Sequence, residues 1–578
     1  MTCRMLGGFL LAMGVALAQA ASPTPRTFRV GLWTLWRDKE VTVSSAPGST
    51  GYLAYCGGCP GSPLTHTLTV RAGAGRVLMG ENHPQPAVFL SGAVKLTAHG
   101  ESITLRNPVS ISARKGELVL AVTLPVESYV ERVVASESGP ADSLESLKAL
   151  AIVVRSFALH QPHGHADYDL CDSTHCQLLH WAGGSGRGGA AHQATVATAG
   201  ETLWFHGRRA EAWFHQNCGG RTAAPDEVWL KAGSKPMPWL VSRADPYCSA
   251  AGAREWSATL ALNDLTQALA TAGLARPGWK TLNVARRGES GRAVTLNVGG
   301  AQISAEDFRL AVGRALGWGK ILSNWFEVSS QTSGQDSVFV FHGRGSGHGV
   351  GLCQAGAAAM ASQGRDAAQI LAQYFPGAEA NDEATGQPWR ALSGQGFAVE
   401  TLSAGDVSYL PQISQALREA EQRSGLRPAG AVTLRAFPSV SAFRDATLAP
   451  GWVAAFTEDN WIGTQPLATL AARKLLAPVL RHECLHALVE AQAGPNAPLW
   501  LREGLVELWA DGAPATSPAI KIGDLDAALA HASTEAESEK AHRASAFFAR
   551  QLIDRYGRSQ VLAWLHSGVP ANIVDATR

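Results

Sequence analysis

The sequence predicts a multidomain α+β protein, with a β-rich N-terminal region leading into a helical segment and a mainly α domain at the C-terminal end. Three observations carry that prediction. The chain has 578 residues, too many for one ordinary core. Short runs of alternating apolar and polar residues fill its first fifth. Apolar residues then recur at helical intervals from about residue 125 onward.

Taken in order, FRVGLW, EVTVSS, RVLMG, AVKLTAH, SITLRN and GELVLAVTL between Thr27 and Val122 read as short antiparallel strands punctuated by Gly, Pro and Asn. Residues 125–160 turn helical, with Val133, Val134, Leu144, Leu147, Leu150, Ala151, Val154 and Leu159 recurring at helix-like intervals. Residues 181–260 are mixed. Residues 257–325 carry a helix, a strand pair and a second helix, and His342–Ala361 is a glycine-rich loop feeding a helix. Gly, Pro and acidic residues without apolar period over 376–396 predict a linker. A second unit then restarts at Phe397 and runs to Arg578. No internal repeat is visible.

Hydrophobic residues make up 46% of the chain and charged residues 17%, which excludes a disordered protein. Lys plus Arg (49) balances Asp plus Glu (48), so no strong field recruits nucleic acid or anionic lipid. Arg4, the apolar run Leu6–Leu17 and Ala18-Gln19-Ala20 read as a signal peptide over 1–20, with a retained anchor as the alternative. The run is too short to span a bilayer comfortably. A secreted or periplasmic protein without a stable membrane span is the expectation. Removing the leader takes Cys3 and leaves eight of nine cysteines, some of which should be bridged or metal-bound in an oxidising compartment. Cys218 in NCGG and Cys248 in DPYC are the expected bridge. Cys56 and Cys59 are spaced for a tight local disulfide or a redox pair.

The densest chemistry lies between Leu124 and Cys176. LPVESYVERVVASESGP is followed by LKALAIVVRSFALH and then YDLCDSTHCQ. Cys171, His175 and Cys176 form the soft thiolate and imidazole set that zinc prefers, leaving a fourth place for water or substrate. A Cys171–Cys176 disulfide beside a surface His175 is the alternative. Further on stands Gly347-His348-Gly349-Val350-Gly351-Leu352-Cys353-Gln354-Ala355-Gly356-Ala357. From Phe28 to Phe375 the chain resembles the SpoIID/LytB family (stage II sporulation protein D), lytic transglycosylases of bacterial cell-wall glycan. Ala135-Ser136-Glu137-Ser138-Gly139-Pro140 resembles the family's SEMP-like segment, DSTHCQ its zinc-bearing segment, and GHGVGLCQAGA its GHGVGxxQxGA segment. The resemblance implies that Glu137 is the catalytic acid/base, with Glu127 and Glu131 as runners-up. It implies that Ser136, His348 and Gln354 line the substrate cleft, with peptidoglycan glycan strands as partner. Ser346 stands where a Trp often precedes the GHG, so an aromatic platform must come from elsewhere. A lone acid in this role needs a raised pKa, for which Val133, Val134 and Ala135 supply apolar wall.

A second chemistry sits downstream. In His482-Glu483-Cys484-Leu485-His486 the two histidines share one helical face and can grip one zinc, with Glu483 beside them to polarise its water. PLWLREGLVE follows, and its WLxEGLxE pattern resembles the third-ligand helix of glutamate zincins (gluzincins). That makes Glu503 the third ligand and Glu507 the alternative. The region 397–578 resembles peptidase MA-like metallopeptidase domains, which implies a peptide substrate. The combined expectation is a secreted peptidoglycan-remodelling enzyme with two zinc sites. Its rivals are a non-catalytic peptidoglycan-binding or hydrolase-modifying protein, and a peptidase whose front part only targets it.

Overall fold

The computed structural model describes residues 26–79, 83–160, 164–181, 189–230, 237–333, 336–516 and 518–576. The expected leader lies outside them. Between Thr27 and Pro125 the alternation produces two sheets. One runs in the order Leu170–Cys171, Thr27–Leu32, Glu117–Pro125, Val109–Arg114, Ala87–Gly92, Gly51–Ala54, Ser62–Pro63. The other orders Glu101–Leu105, Val94–Ala98, Glu40–Ser45, Leu68–Ala72, Val77–Met79 and His83–Gln85. Period two places Leu118, Leu120, Val122 and Leu124 on one face, where all are buried with Val41, Val43, Val70 and Ile111 in a shared core. Cys56 and Cys59 are joined in a disulfide.

The last long strand runs straight into the helix Val126–Glu137, and Ser143 caps the next helix, Leu144–Leu159, in a reciprocal box with Ser146. Every residue from Ala149 to Leu159 is buried. This helix is the axle of the front half, with Gln354–Ser362 and Ala367–Tyr374 packed against it.

Residues between these elements form a unit that periodicity had assigned to its surroundings. Glu255–Ala261, Asp336–Arg344 and Phe326–Ser333 make one three-stranded sheet, and Leu282–Arg287, Ala293–Val298 and Ala301–Ser304 another. With helices Leu262–Thr271 and Ala305–Leu316 they enclose a separate core around Leu265, Phe308, Phe326 and Phe341. The chain leaves and re-enters side by side, the Gly345 N–H donating to the Arg254 carbonyl at 2.7 Å.

Two features add to the expected organisation. Residues 376–396 are not a free linker: Glu379–Asp382 pairs with Glu201–Phe205 of the front half, and Arg390–Ser393 pairs with Phe397–Thr401 of the back half. Strands of four residues are too short to carry a periodic signal. The back half, in turn, is built on a five-stranded mixed sheet: Arg390–Ser393, Phe397–Thr401, Val432–Ala436, Trp461–Thr464, Ala455–Glu458. Helices Leu410–Ser424, Leu476–Glu490, Leu499–Ala510 and Glu535–Tyr556 complete its core. The halves touch through a small cluster of Ala199 with Phe437, Phe443 and Ala446. Buried Arg435 pairs there with Glu201 and Glu400 and donates to the Ala199 carbonyl at 3.2 Å.

Candidate functional sites

Glu137 is the last residue of its helix, with Ser138 as the cap. Its runners-up are committed elsewhere. Glu127 receives both Nε and Nη2 of the fully buried Arg155, at 2.8 and 2.6 Å, and Glu131 pairs with His192 at 3.1 Å. The Glu137 carboxyl is half-buried above fully buried Val133 and Val134. Burial pushes its pKa from 4.5 up to about 7, opposed by a hydrogen bond from the Leu178 main chain. The negative end of the helix macrodipole acts in the same direction as burial.

Three segments hold this residue. Gln354 Nε2 donates to the Glu137 carbonyl at 3.0 Å, satisfying one of the helix's orphan acceptors. Ser136 Oγ donates to the Arg132 carbonyl at 2.6 Å and accepts from the His180 N–H at 2.8 Å. Ser136 and Gln354, expected to face a sugar, therefore have polar groups that fix the backbone around the acid. Leu178 and His180 belong to the loop that follows Cys176, so the Cys-His segment clamps the carboxyl directly.

That segment begins at Leu170–Cys171, which pairs in parallel with the first strand through Val30 and Gly31. Asp172 locks the loop by accepting from the Trp33 N–H (2.6 Å), the Thr34 hydroxyl (2.6 Å) and Trp181 Nε1 (2.9 Å). Cys171 and Cys176 are free thiols, so the alternative bridge is not formed. The cluster has four members. His165 joins Cys171, His175 and Cys176, with one ligand atom of each inside a mutual 4.8 Å, and His165 Nε2 lies 3.1 Å from Cys176 Sγ. Two thiols and two imidazoles at that spacing suit a tetrahedral zinc ion. Were an ion held there, His165 would take the fourth place expected for water. Buried Tyr129 links cluster to acid: its hydroxyl donates to Gln177 at 3.0 Å, and its pKa is raised by burial and then by the Cys176, Cys171 and Glu137 charges.

In the glycine-rich segment, strand Leu352–Cys353 pairs with Phe214–His215. Gly351 is obligatory there, with φ of +75° and the Trp213 carbonyl occupying the space that a Cβ would need. The Val350 N–H donates to His348 Nδ1 at 3.1 Å, leaving Nε2 to carry the ring proton. Burial lowers the His348 pKa to about 4, opposed by the Glu306 charge, so the ring is neutral at neutral pH. Trp229 stands 5.2 Å from it, an aromatic neighbour that the sequence did not point to.

Residues 114–205, which span Glu137 and the four-member cluster, match the family described as Stage II sporulation protein, SpoIID. Over these residues the chain is similar to the SpoIID domain. Residues 249–351, the inserted unit and most of the glycine-rich loop, match a domain of unknown function, DUF8618. An uncharacterized protein of Brachyspira hyodysenteriae is 28% identical over 268 residues, covering 46% of this chain and 69% of that protein. Stage II sporulation protein D of Bacillus subtilis is 25% identical over 310 residues, half of this chain and 84% of its own. The Amidase enhancer of the same organism is 23% identical over 292 residues, 42% of this chain and 39% of its own.

The back half holds the second candidate site. His482 and His486 project from Leu476–Glu490 with Nε2 atoms 3.1 Å apart, and His486 Nε2 lies 3.4 Å from Glu503 Oε2 on Leu499–Ala510. These three form a metal-sized cluster. Glu507 sits 3.8 Å from His482 Nδ1, on its outer side. Gly504 lets the ligand helix close on Glu535–Tyr556, since a Cβ there would collide with the Ser545 carbonyl. That third helix delivers His542, 3.2 Å from Glu503 Oε2, a neighbour of the cluster that no sequence motif announced. Glu483 is buried and accepts from the Thr457 hydroxyl at 2.6 Å, and burial raises its pKa. Two imidazoles and a carboxylate fit zinc with a position left open.

Proposed function

We propose that the front half is a peptidoglycan lytic transglycosylase that uses Glu137 as its single acid/base. The observation that carries this reading is a half-buried carboxyl with a pKa near 7, clamped between the Cys-His loop and the glycine-rich segment. Such a group is protonated in a large fraction of molecules at neutral pH and can both give and take a proton. Glu137 donates its proton to the oxygen linking N-acetylmuramic acid to N-acetylglucosamine, and the bond from C1 to that oxygen breaks. The 6-hydroxyl of the same muramic residue bonds to C1 and returns its proton to Glu137. The products are a free 4-hydroxyl and a 1,6-anhydro end, with no water consumed. The Cys171/Cys176/His165/His175 set would hold zinc as a structural ion that keeps Leu178 against the carboxyl.

The back half is read as a zinc peptidase. His482, His486 and Glu503 would hold the ion, which when bound supplies a Lewis acid and an acidified water. Glu483, kept dry and oriented by Thr457, would be placed to accept a proton at its carboxylate, and His542 would orient Glu503. Export to the cell envelope fits both substrates, and no helix among the described residues is long and apolar enough to cross a membrane.

The similarity to an Amidase enhancer favours one rival, a module that binds glycan and stimulates another hydrolase. Digestion of purified sacculi separates the two. Wild-type protein should release 1,6-anhydro-muropeptides and Glu137→Gln should not. Equal release by both, or none from wild type, would sink the transglycosylase reading.

A further inference from the structure

Cys218, Cys248 and Cys353 do not form the Cys218–Cys248 bridge expected from sequence: all three are free thiols, buried together. They come from three separate segments. Cys218 precedes the Gly219-Gly220 turn, Cys248 lies in the short helix Pro246–Ala250, and Cys353 ends the strand that leads into Gln354. Asp245, 1% exposed, joins them, and one ligand atom of each of the four lies within 4.8 Å of all the others.

We propose that Cys218, Cys248, Cys353 and Asp245 bind one zinc ion, which fastens the glycine-rich segment and its Gln354 beneath Glu137. Three thiolates and a carboxylate at this spacing surround a single tetrahedral ion. The surroundings are built for anionic sulfur. The Cys218 N–H points at Cys353 Sγ at 3.2 Å, and the Gly220 N–H points at Cys218 Sγ at 3.3 Å. Asp245 is oriented by two donors: the Cys248 N–H donates to Oδ1 at 2.9 Å and, from outside the cluster, the Tyr374 hydroxyl to Oδ2 at 2.9 Å. Gly356 makes room for that pair, because a Cβ there would collide with both the Tyr374 oxygen and Asp245 Oδ2. A fully buried cation adjoins the cluster. Arg292 donates Nη2 to the Cys218 carbonyl at 2.7 Å and Nη1 to the Arg221 carbonyl at 3.0 Å, and its Nε has no hydrogen-bond partner among the described residues. A guanidinium there offsets the net negative charge of a Zn²⁺ ion bound by four anionic ligands.

The test uses the full chain with Cys176→Ala and His482→Ala, which disable the other two clusters, and reads zinc rather than glycan cleavage. About one zinc per chain should remain by elemental analysis, and Cys353→Ser added to this background should abolish it. Cobalt substituted for zinc should give thiolate charge-transfer absorption that the same change removes. If the triple variant misfolds, alkylation of the wild-type chain decides. The three cysteines should resist labelling until a chelator is added, then label completely without reductant. A peptide linking any two of them with two fewer hydrogens, or prompt labelling with no zinc in the background variant, would overturn the proposal. Zinc content and thiol labelling give the answer whether or not the protein cuts glycan.

Discussion

The two halves carry metal-sized clusters of opposite design. In the front, His165, Cys171, His175 and Cys176 make a closed set of four beside a carboxyl that is not among them. In the back, His482, His486 and Glu503 make a set of three, with Glu483 on the neighbouring turn. Four protein ligands exhaust a tetrahedral ion, whereas three leave a position for substrate or water. The contrast assigns the work differently. On the proposed function the front half would place its chemistry in a carboxyl that the cluster only steadies, and the back half would place it at a bound ion.

The sharpest way to break this comparison is to remove the front acid. Glu137→Gln should cut release of anhydro ends about 10³-fold, within the range of a lost general acid, with its circular dichroism unchanged. Next is the open cluster: His482→Ala should lose one equivalent of zinc together with any chelator-sensitive proteolysis, and unchanged metal content would dismantle that site. The closed cluster is tested by His165→Ala. If the imidazole is a fourth ligand, zinc retention should fall by more than the ~10–100-fold typical of outer-shell changes; if three ligands suffice, it should not. The smallest effect is thermal. Because the folded pKa of Glu137 is about 7 against an ordinary 4.5, the native state binds more protons than the unfolded chain between those values, and stability is lost as pH rises through that window. The Tm of Glu137→Gln should therefore gain on wild type between about pH 4 and pH 8, by ~2 °C or more, and a constant difference would mean the carboxyl is not dry.

What could be read from sequence was whatever local spacing encodes. Glu137 stood inside a continuous motif, Cys171, His175 and Cys176 inside a six-residue loop, and His482, Glu483 and His486 on one helical face. Glu503 was reached because its own helix had a pattern. What escaped depends on distant pairing. His165 enters its cluster through a fold of the chain before Cys171, and His542 reaches Glu503 from a helix with no motif. Cys353 and Asp245 turn an expected bridge into a group of four because strand Leu352–Cys353 docks on Phe214–His215. The inserted unit was visible only as alternating elements, since nothing in periodicity says which strands share a core.

One contact joins the two designs. Glu131 lies on the helix that ends in Glu137, and Glu458 on the strand Ala455–Glu458 that presents Thr457 to Glu483. His192 stands between them, 3.1 Å from Glu131 and 2.8 Å from Glu458, and those two carboxylates raise its pKa to about 9. At neutral pH this imidazolium therefore ties the helix that ends in Glu137 to the strand that holds Thr457 against Glu483, alongside the Arg435 pair and the Ala199 cluster already described.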